Sequence, residues 1–295
     1  MSNKVTKILH LLHWRLSAII PIVPKIKEQG FNAIQISPMQ GQKNDSNKWY
    51  ELYQPTNLKI GNCQIGSYED LQVLCAKCHE FGIKVIADVV LRHVASDEQD
   101  SLKPHKNVDP DLLKYLAEPI NCDNYNDRWQ CTHRCTNLPM LNYDDPDLQL
   151  KYIDLLNDYV SAGVDGFRLD QLKHYALPDE GSNIMSLFRY YNFYGEAINC
   201  DKWTLDRYAE WMGVLTEGRP TDTSKLIAKF ESHDDYLTFR STCRMDDDTR
   251  LKEWDVLINK DRFSSIFYAR PFDNLWLSEG MKAINTINNI INETI

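Results

Sequence analysis

Short apolar runs alternate with stretches carrying helix start and stop signals along almost the whole chain, and this rhythm limits the fold more than any other feature of its 295 residues. The runs cover residues 7–14, 31–38 and 84–90, two runs ending at Asp170 and at Glu196, and then 212–216, 226–230 and 264–268. Runs this short and this continuously apolar read as strands buried on both faces of a parallel sheet. Helices are expected between them. Pro21 and Pro24 open one that Gly30 stops, and Ser67 with Asp70 caps one over 68–81 that Gly82 ends. Others are expected over 146–162, 184–191, 205–211, 249–257 and 279–291. A doubly wound open sheet usually has fewer strands and a glycine-rich first turn, which this chain lacks. The expected architecture is therefore α/β, a (β/α)8 TIM barrel forming one domain over 1–295. A small irregular insertion after strand 3, residues 94–144, is rich in Asp, Asn, Pro and Cys; a loop of that length is usually functional.

Bulk properties narrow the function. Hydrophobic residues make up 43% and charged residues 25%, ordinary values for a globular chain able to bury a large core. A net charge of −9 argues against nucleic acid as a partner. No run approaches the ~20 apolar residues of a membrane span, and the N-terminus lacks a secretory leader pattern. A cytoplasmic protein with no membrane partner is expected, and its eight cysteines are then most simply thiols.

Acidic residues stand where such a barrel puts its chemistry, at the C-terminal strand ends. Asp88 lies in strand 3, Asp170 closes strand 4, Glu196 closes strand 5 and Asp234 follows strand 7. Burying one carboxylate is costly; four in such places point to one carboxylate-lined pocket. Two carboxylates across a pocket suit glycosidic-bond chemistry, in which one attacks the sugar carbon and the other protonates the leaving oxygen. Arg168, two residues before Asp170, faces the same side of the strand and is expected to keep Asp170 ionised. Glu196 has no cation beside it in sequence, which suits a general acid. His93 and His233 are placed to donate hydrogen bonds to sugar hydroxyls.

The segments 88–93, 166–174, 195–196 and 232–234 occur in the order of the four signature regions of the α-amylase family of glycoside hydrolases, and the chain resembles that family over nearly its whole length. Segments 49–55 and 59–61 resemble it too. The resemblance implies a retaining hydrolase of α-1,4-glucosidic bonds in starch, glycogen or maltooligosaccharides. Asp170 would be the nucleophile, Glu196 the acid/base and Asp234 the third carboxylate, gripping substrate hydroxyls. Arg168 would position Asp170, with Asp88 supporting the arginine. His93 and His233 would bind the sugar at the cleavage point, Tyr53 would stack beneath it, and Lys173 and His174 would contact the leaving-group side. The alternatives are a transglycosylase on α-glucans and a non-catalytic carbohydrate-binding or interaction module.

Two departures from the family pattern concern its calcium. Arg92 stands where relatives with the ion have an asparagine ligand, and Met140 where they have an aspartate. Neither supplies the hard oxygen that calcium takes, so no cofactor and no metal are expected, with the Arg92 cation replacing part of the charge. In the insertion, Cys122, Cys131, His133 and Cys135 are compatible with free thiols, a disulfide or a zinc site, although Cys131 and Cys135 with His133 between them lack a standard zinc spacing. The sequence leaves the oligomeric state open.

Overall fold

The computed structural model describes residues 6–43, 48–229, 231–237, 246–254, 256 and 263–269. The helix expected over 279–291, Phe230 and Cys243 lie outside the described residues.

Eight parallel strands close into a barrel: β1 (Lys7–Leu11), β2 (Ala33–Ile36), β3 (Lys84–Val89), β4 (Gly166–Leu169), β5 (Phe193–Glu196), β6 (Gly213–Thr216), β7 (Leu226–Ala228) and β8 (Ser264–Tyr268). Each pairs with its sequence neighbours, and β8 closes on β1 with His10 opposite Tyr268. All five residues of β1 are buried, as are all four of β2. This explains why the strands are apolar runs rather than alternating patterns: helices cover the outside while side chains fill the inside.

Local chemistry sets the helix ends. Ser67 Oγ accepts from the Asp70 N–H at 3.1 Å, and Asp70 Oδ2 accepts from the Ser67 N–H at 2.8 Å, starting α1 (Tyr68–Glu80). Asp145 Oδ1 accepts from the amides of Asp147 and Leu148 at the start of α2 (Pro146–Ser161). Beyond α2, Gly163 has φ 103°, and a Cβ there would meet Cys75 Cβ at 2.9 Å, so the turn back into β4 is open only to glycine. Between β6 and β7 the helical layer thins to one 3-10 turn, Thr223–Lys225.

The β3–β4 connection carries the long irregular segment, which holds two short helices, Pro110–Leu113 and Arg128–His133, and isolated bridges, among them His93 with Met140. A two-stranded antiparallel ribbon, Gln40–Gln42 with Pro55–Ile60, lies between β2 and β3. No described helix is long and apolar enough to cross a membrane.

Candidate active site

Register builds the centre of the site. Asp88 on β3 lies directly opposite Arg168 on β4. Arg168 is fully buried, and its Nη1 donates to Asp88 at 2.8 and 3.0 Å and to Asp170 Oδ1 at 2.9 Å. Its Nη2 pairs with Glu196 Oε1 on β5. One guanidinium thus holds three carboxylates from three successive strand ends. This corrects the sequence argument about Glu196: its cation comes from the neighbouring strand, where linear spacing could not show it.

Backbone details aim the carboxylates. Asp170 N–H bonds to the Val89 carbonyl at 3.1 Å, and Gln171 takes φ 54°, so the chain turns immediately after Asp170. Gly195 lets Leu172, on that turn, lie against β5: a Cβ there would come within 2.5 Å of the Leu172 side chain. The Asp170 turn and the strand carrying Glu196 are therefore packed directly on each other.

Burial dominates the electrostatics. It pushes the Asp170 carboxyl well above the usual range; Arg168 opposes this, while Glu196, Asp88 and Asp234 add to it. Arg168 favours the ionised Asp170, as expected, but one guanidinium is shared among several carboxylates, so burial and the neighbouring carboxyls work against it. Asp88 is raised to about 6 by burial, against the pull of Arg168 and the Tyr53 hydroxyl, which donates to it at 2.8 Å. Asp234, on the short helix His233–Leu237, is also raised by burial, with Arg168 opposing.

The aromatic and histidine residues form a packed wall. Tyr53, at the end of the 3-10 turn Trp49–Tyr53, lies parallel to the His233 ring at 5.3 Å. His233 Nε2 is 3.6 Å from Asp234 Oδ1. His93 Nε2 lies 2.7 Å from the Tyr53 carbonyl oxygen, fixing the turn that presents the tyrosine. Burial holds His233 down to about 3, helped by Arg168, and His93 down to about 4. Both are neutral at ordinary pH.

Lys173 and His174 part company. His174 is buried, with Nδ1 2.9 Å from the Cys131 carbonyl oxygen, so its ring braces the insertion. Lys173 instead lines an open cavity of about 440 Å³ with Tyr125, Arg128, Asn199 and Trp203. Tyr125 and Trp203 are largely exposed there.

The calcium position implied by the family resemblance does not fit the ion. The buried Arg92 guanidinium donates Nε–H to the His174 carbonyl at 2.9 Å and Nη2–H to the carbonyls of Cys131 and Arg134 at 3.2 and 2.7 Å. Nη1–H reaches Thr136 Oγ1 at 3.3 Å. Among the described residues no group of three His, Cys, Asp or Glu is arranged to hold a metal. Cys122, Cys131 and Cys135 are free thiols, and His133 stacks on Trp129.

Sequence reasoning missed several residues of this face. Gln35 Nε2 donates to Asp88 at 3.3 Å, Tyr194 donates its hydroxyl to Gln35, and His10 meets the His233 ring edge-on at 5.4 Å. Lys229 and Tyr268 line the same small cavity as Arg168 and Glu196. The signal was present: Gln35 and His10 are polar residues inside otherwise apolar runs, and they are register neighbours.

A closed parallel barrel with carboxylates gathered at its C-terminal rim defines a (β/α)8 scaffold of the enzyme kind. The chain belongs to the α-amylase family: the family's model, "Alpha amylase, catalytic domain", matches residues 15–193. It is 30% identical to an α-amylase of Clostridium acetobutylicum over 95% of this chain and 43% of that protein, and 25% identical to an α-amylase of Butyrivibrio fibrisolvens over 90% of this chain and 34% of that protein. The chain thus spans less than half the length of these curated relatives. Among solved structures, an α-amylase of Geobacillus thermoleovorans complexed with acarbose superposes with a TM-score of 0.71 at 17% identity, covering 98% of this chain and 78% of that one. An α-amylase of Malbranchea cinnamomea gives 0.69 at 20% identity, covering 98% and 77%. At those identities the likeness is one of fold.

Proposed function

We propose that this barrel hydrolyses α-1,4-glucosidic bonds in α-glucans or maltooligosaccharides with retention of configuration. The observation that carries this reading is the bridging of Asp170 and Glu196 by one guanidinium. Two carboxyl groups on opposite nitrogens of one arginine lie close together, in keeping with the spacing of about 5–5.5 Å used by retaining enzymes rather than the wider gap of inverting ones. Asp170 attacks the anomeric carbon while Glu196 gives its proton to the departing glycosidic oxygen. A glycosyl ester on Asp170 forms as the C–O bond breaks. Glu196, now ionised, takes a proton from water, which cleaves the ester and frees the sugar.

The cluster keeps a proton among its carboxyls, and in this reading the form that reacts is the one with Asp170 ionised and that proton on Glu196. Asp88, Asp170 and Glu196 share a single Arg168, so full ionisation leaves buried negative charge uncompensated. Asp234 and His233 hold sugar hydroxyls in this reading, and Lys173 with the cavity beside it receives the leaving side of the chain.

The test is product analysis with soluble starch and defined maltooligosaccharides, wild type beside Glu196→Gln. Shorter sugars from wild type alone support hydrolysis. Longer products move the assignment to transglycosylation, and retained sugar binding without turnover to a binding module.

A further inference from the structure

We infer that Arg92 is a built-in cation that does with its side chain what a bound metal ion would otherwise do here, clamping the inserted segment onto the loop that carries Asp170. Its hydrogen-bonding partners are all neutral oxygens: three backbone carbonyls and one hydroxyl. No ion pair to it is recorded among the described residues. Backbone carbonyls are among the oxygens that hold a hard cation in a protein, and here a guanidinium occupies the centre of three of them. Removing it would take the guanidinium donor from the carbonyls of Arg134 and His174 and leave the Cys131 carbonyl to the His174 ring alone, which is costly in a buried place.

Three parts of the fold meet at this side chain. Arg92 follows β3; Cys131, Arg134 and Thr136 belong to the insertion; His174 lies four residues beyond Asp170. A second arginine ties the insertion to the same loop. Arg128, in the insertion, donates to the carbonyls of Lys173 and Tyr175 and pairs with Glu180 at 2.7 Å. Calcium has no vacancy to enter, since the oxygens it would take are already engaged and a cation sits among them. Arg92 is thus a positioning residue: it acts on the site through the 171–175 loop, and its effect falls on the leaving-group wall at Lys173. The inference deepens the proposed function, but its first readout does not depend on turnover.

The experiment compares thermal midpoints of wild type, Arg92→Lys and Arg92→Met in EGTA and in calcium chloride, with kcat and KM on a maltooligosaccharide. Wild type is expected to melt at the same temperature in both solutions. Arg92→Met is expected to lose roughly 5–10 °C, with Arg92→Lys retaining more because it keeps the charge. In the lysine variant KM should rise about fivefold while kcat changes less. A wild-type midpoint that falls in EGTA and returns with calcium overturns the inference, as does an Arg92→Met variant as stable as Arg92→Lys, which would reduce the residue to packing. If Arg92→Met does not fold, the wild-type comparison still decides. Absence of any turnover would count against the hydrolase reading while leaving the melting comparison intact.

Discussion

Arg168 and Asp88 face each other at the same level of adjacent strands, with Nη1 2.8 Å from Oδ1 and both side chains sealed from solvent. This pair anchors the guanidinium so that its remaining reach falls on Asp170 and Glu196. The barrel register, rather than any loop, therefore sets the relative placement of the two carboxylates proposed to do the chemistry.

Removing charge at this centre should have opposite effects on stability according to its sign. Asp170→Asn deletes a carboxylate whose ionisation burial already opposes; it should abolish turnover yet melt at or above the wild-type temperature at pH 7. Arg168→Met leaves buried carboxylates without their cation and should cost about 3–5 kcal/mol. Chemical denaturation of the two variants beside wild type checks both, and an Asp170→Asn protein clearly less stable than wild type would contradict the electrostatic account.

The Tyr53 hydroxyl stabilises the ionised form of Asp88, whose pKa burial has raised to about 6. In Tyr53→Phe that donor is gone and Asp88 should hold its proton to higher pH. Since a protonated Asp88 grips Arg168 less firmly, the acid limb of the pH–rate profile should shift upward, with kcat at pH 7 reduced about tenfold or less. An unmoved acid limb would separate Asp88 from the rate.

Much of this was legible in the sequence because strand burial and strand-end acids are local signals. All eight strands lie where apolar runs predicted them, and Ser67, Pro146 and Gly163 marked helix ends correctly. The ion pair between Arg168 and Glu196 was not legible, because it crosses between strands. The burial of His174 was hidden too: two residues adjacent in sequence, Lys173 and His174, point to different environments in a 3-10 turn. The roles of Gln35 and His10 required the register of β1, β2 and β3, which residue spacing does not give.

The cavity beside Lys173 should matter only for substrates that extend beyond the cleavage point. Trp203 lies with Arg207 over its ring at 4.2 Å and much of the side chain open, a surface suited to stacking a sugar. Trp203→Ala should raise KM for long maltooligosaccharides about threefold to tenfold, the loss of roughly 1 kcal/mol of contact. A short substrate with an aryl leaving group should be nearly unaffected. Equal effects on both substrates would place Trp203 outside the chain-binding path.

His233 gives a pH prediction whose sign is fixed by burial. Its folded value is about 3 against 6.5 when unfolded, so between those values the folded state binds fewer protons and acidification favours unfolding. The stability from keeping this ring neutral is intact above pH 6.5 and falls as pH drops toward 3, by up to about 2 kcal/mol at pH 5. Asp88 works in the opposite direction between its ordinary value, 3.8, and about 6, because there the folded state binds more protons. The wild-type curve alone therefore mixes the two. The difference between wild type and His233→Gln isolates the histidine. Denaturation midpoints at pH 7 and pH 5 should show the wild type losing more stability on acidification than the variant, and parallel losses would mean that His233 is protonated as readily folded as unfolded.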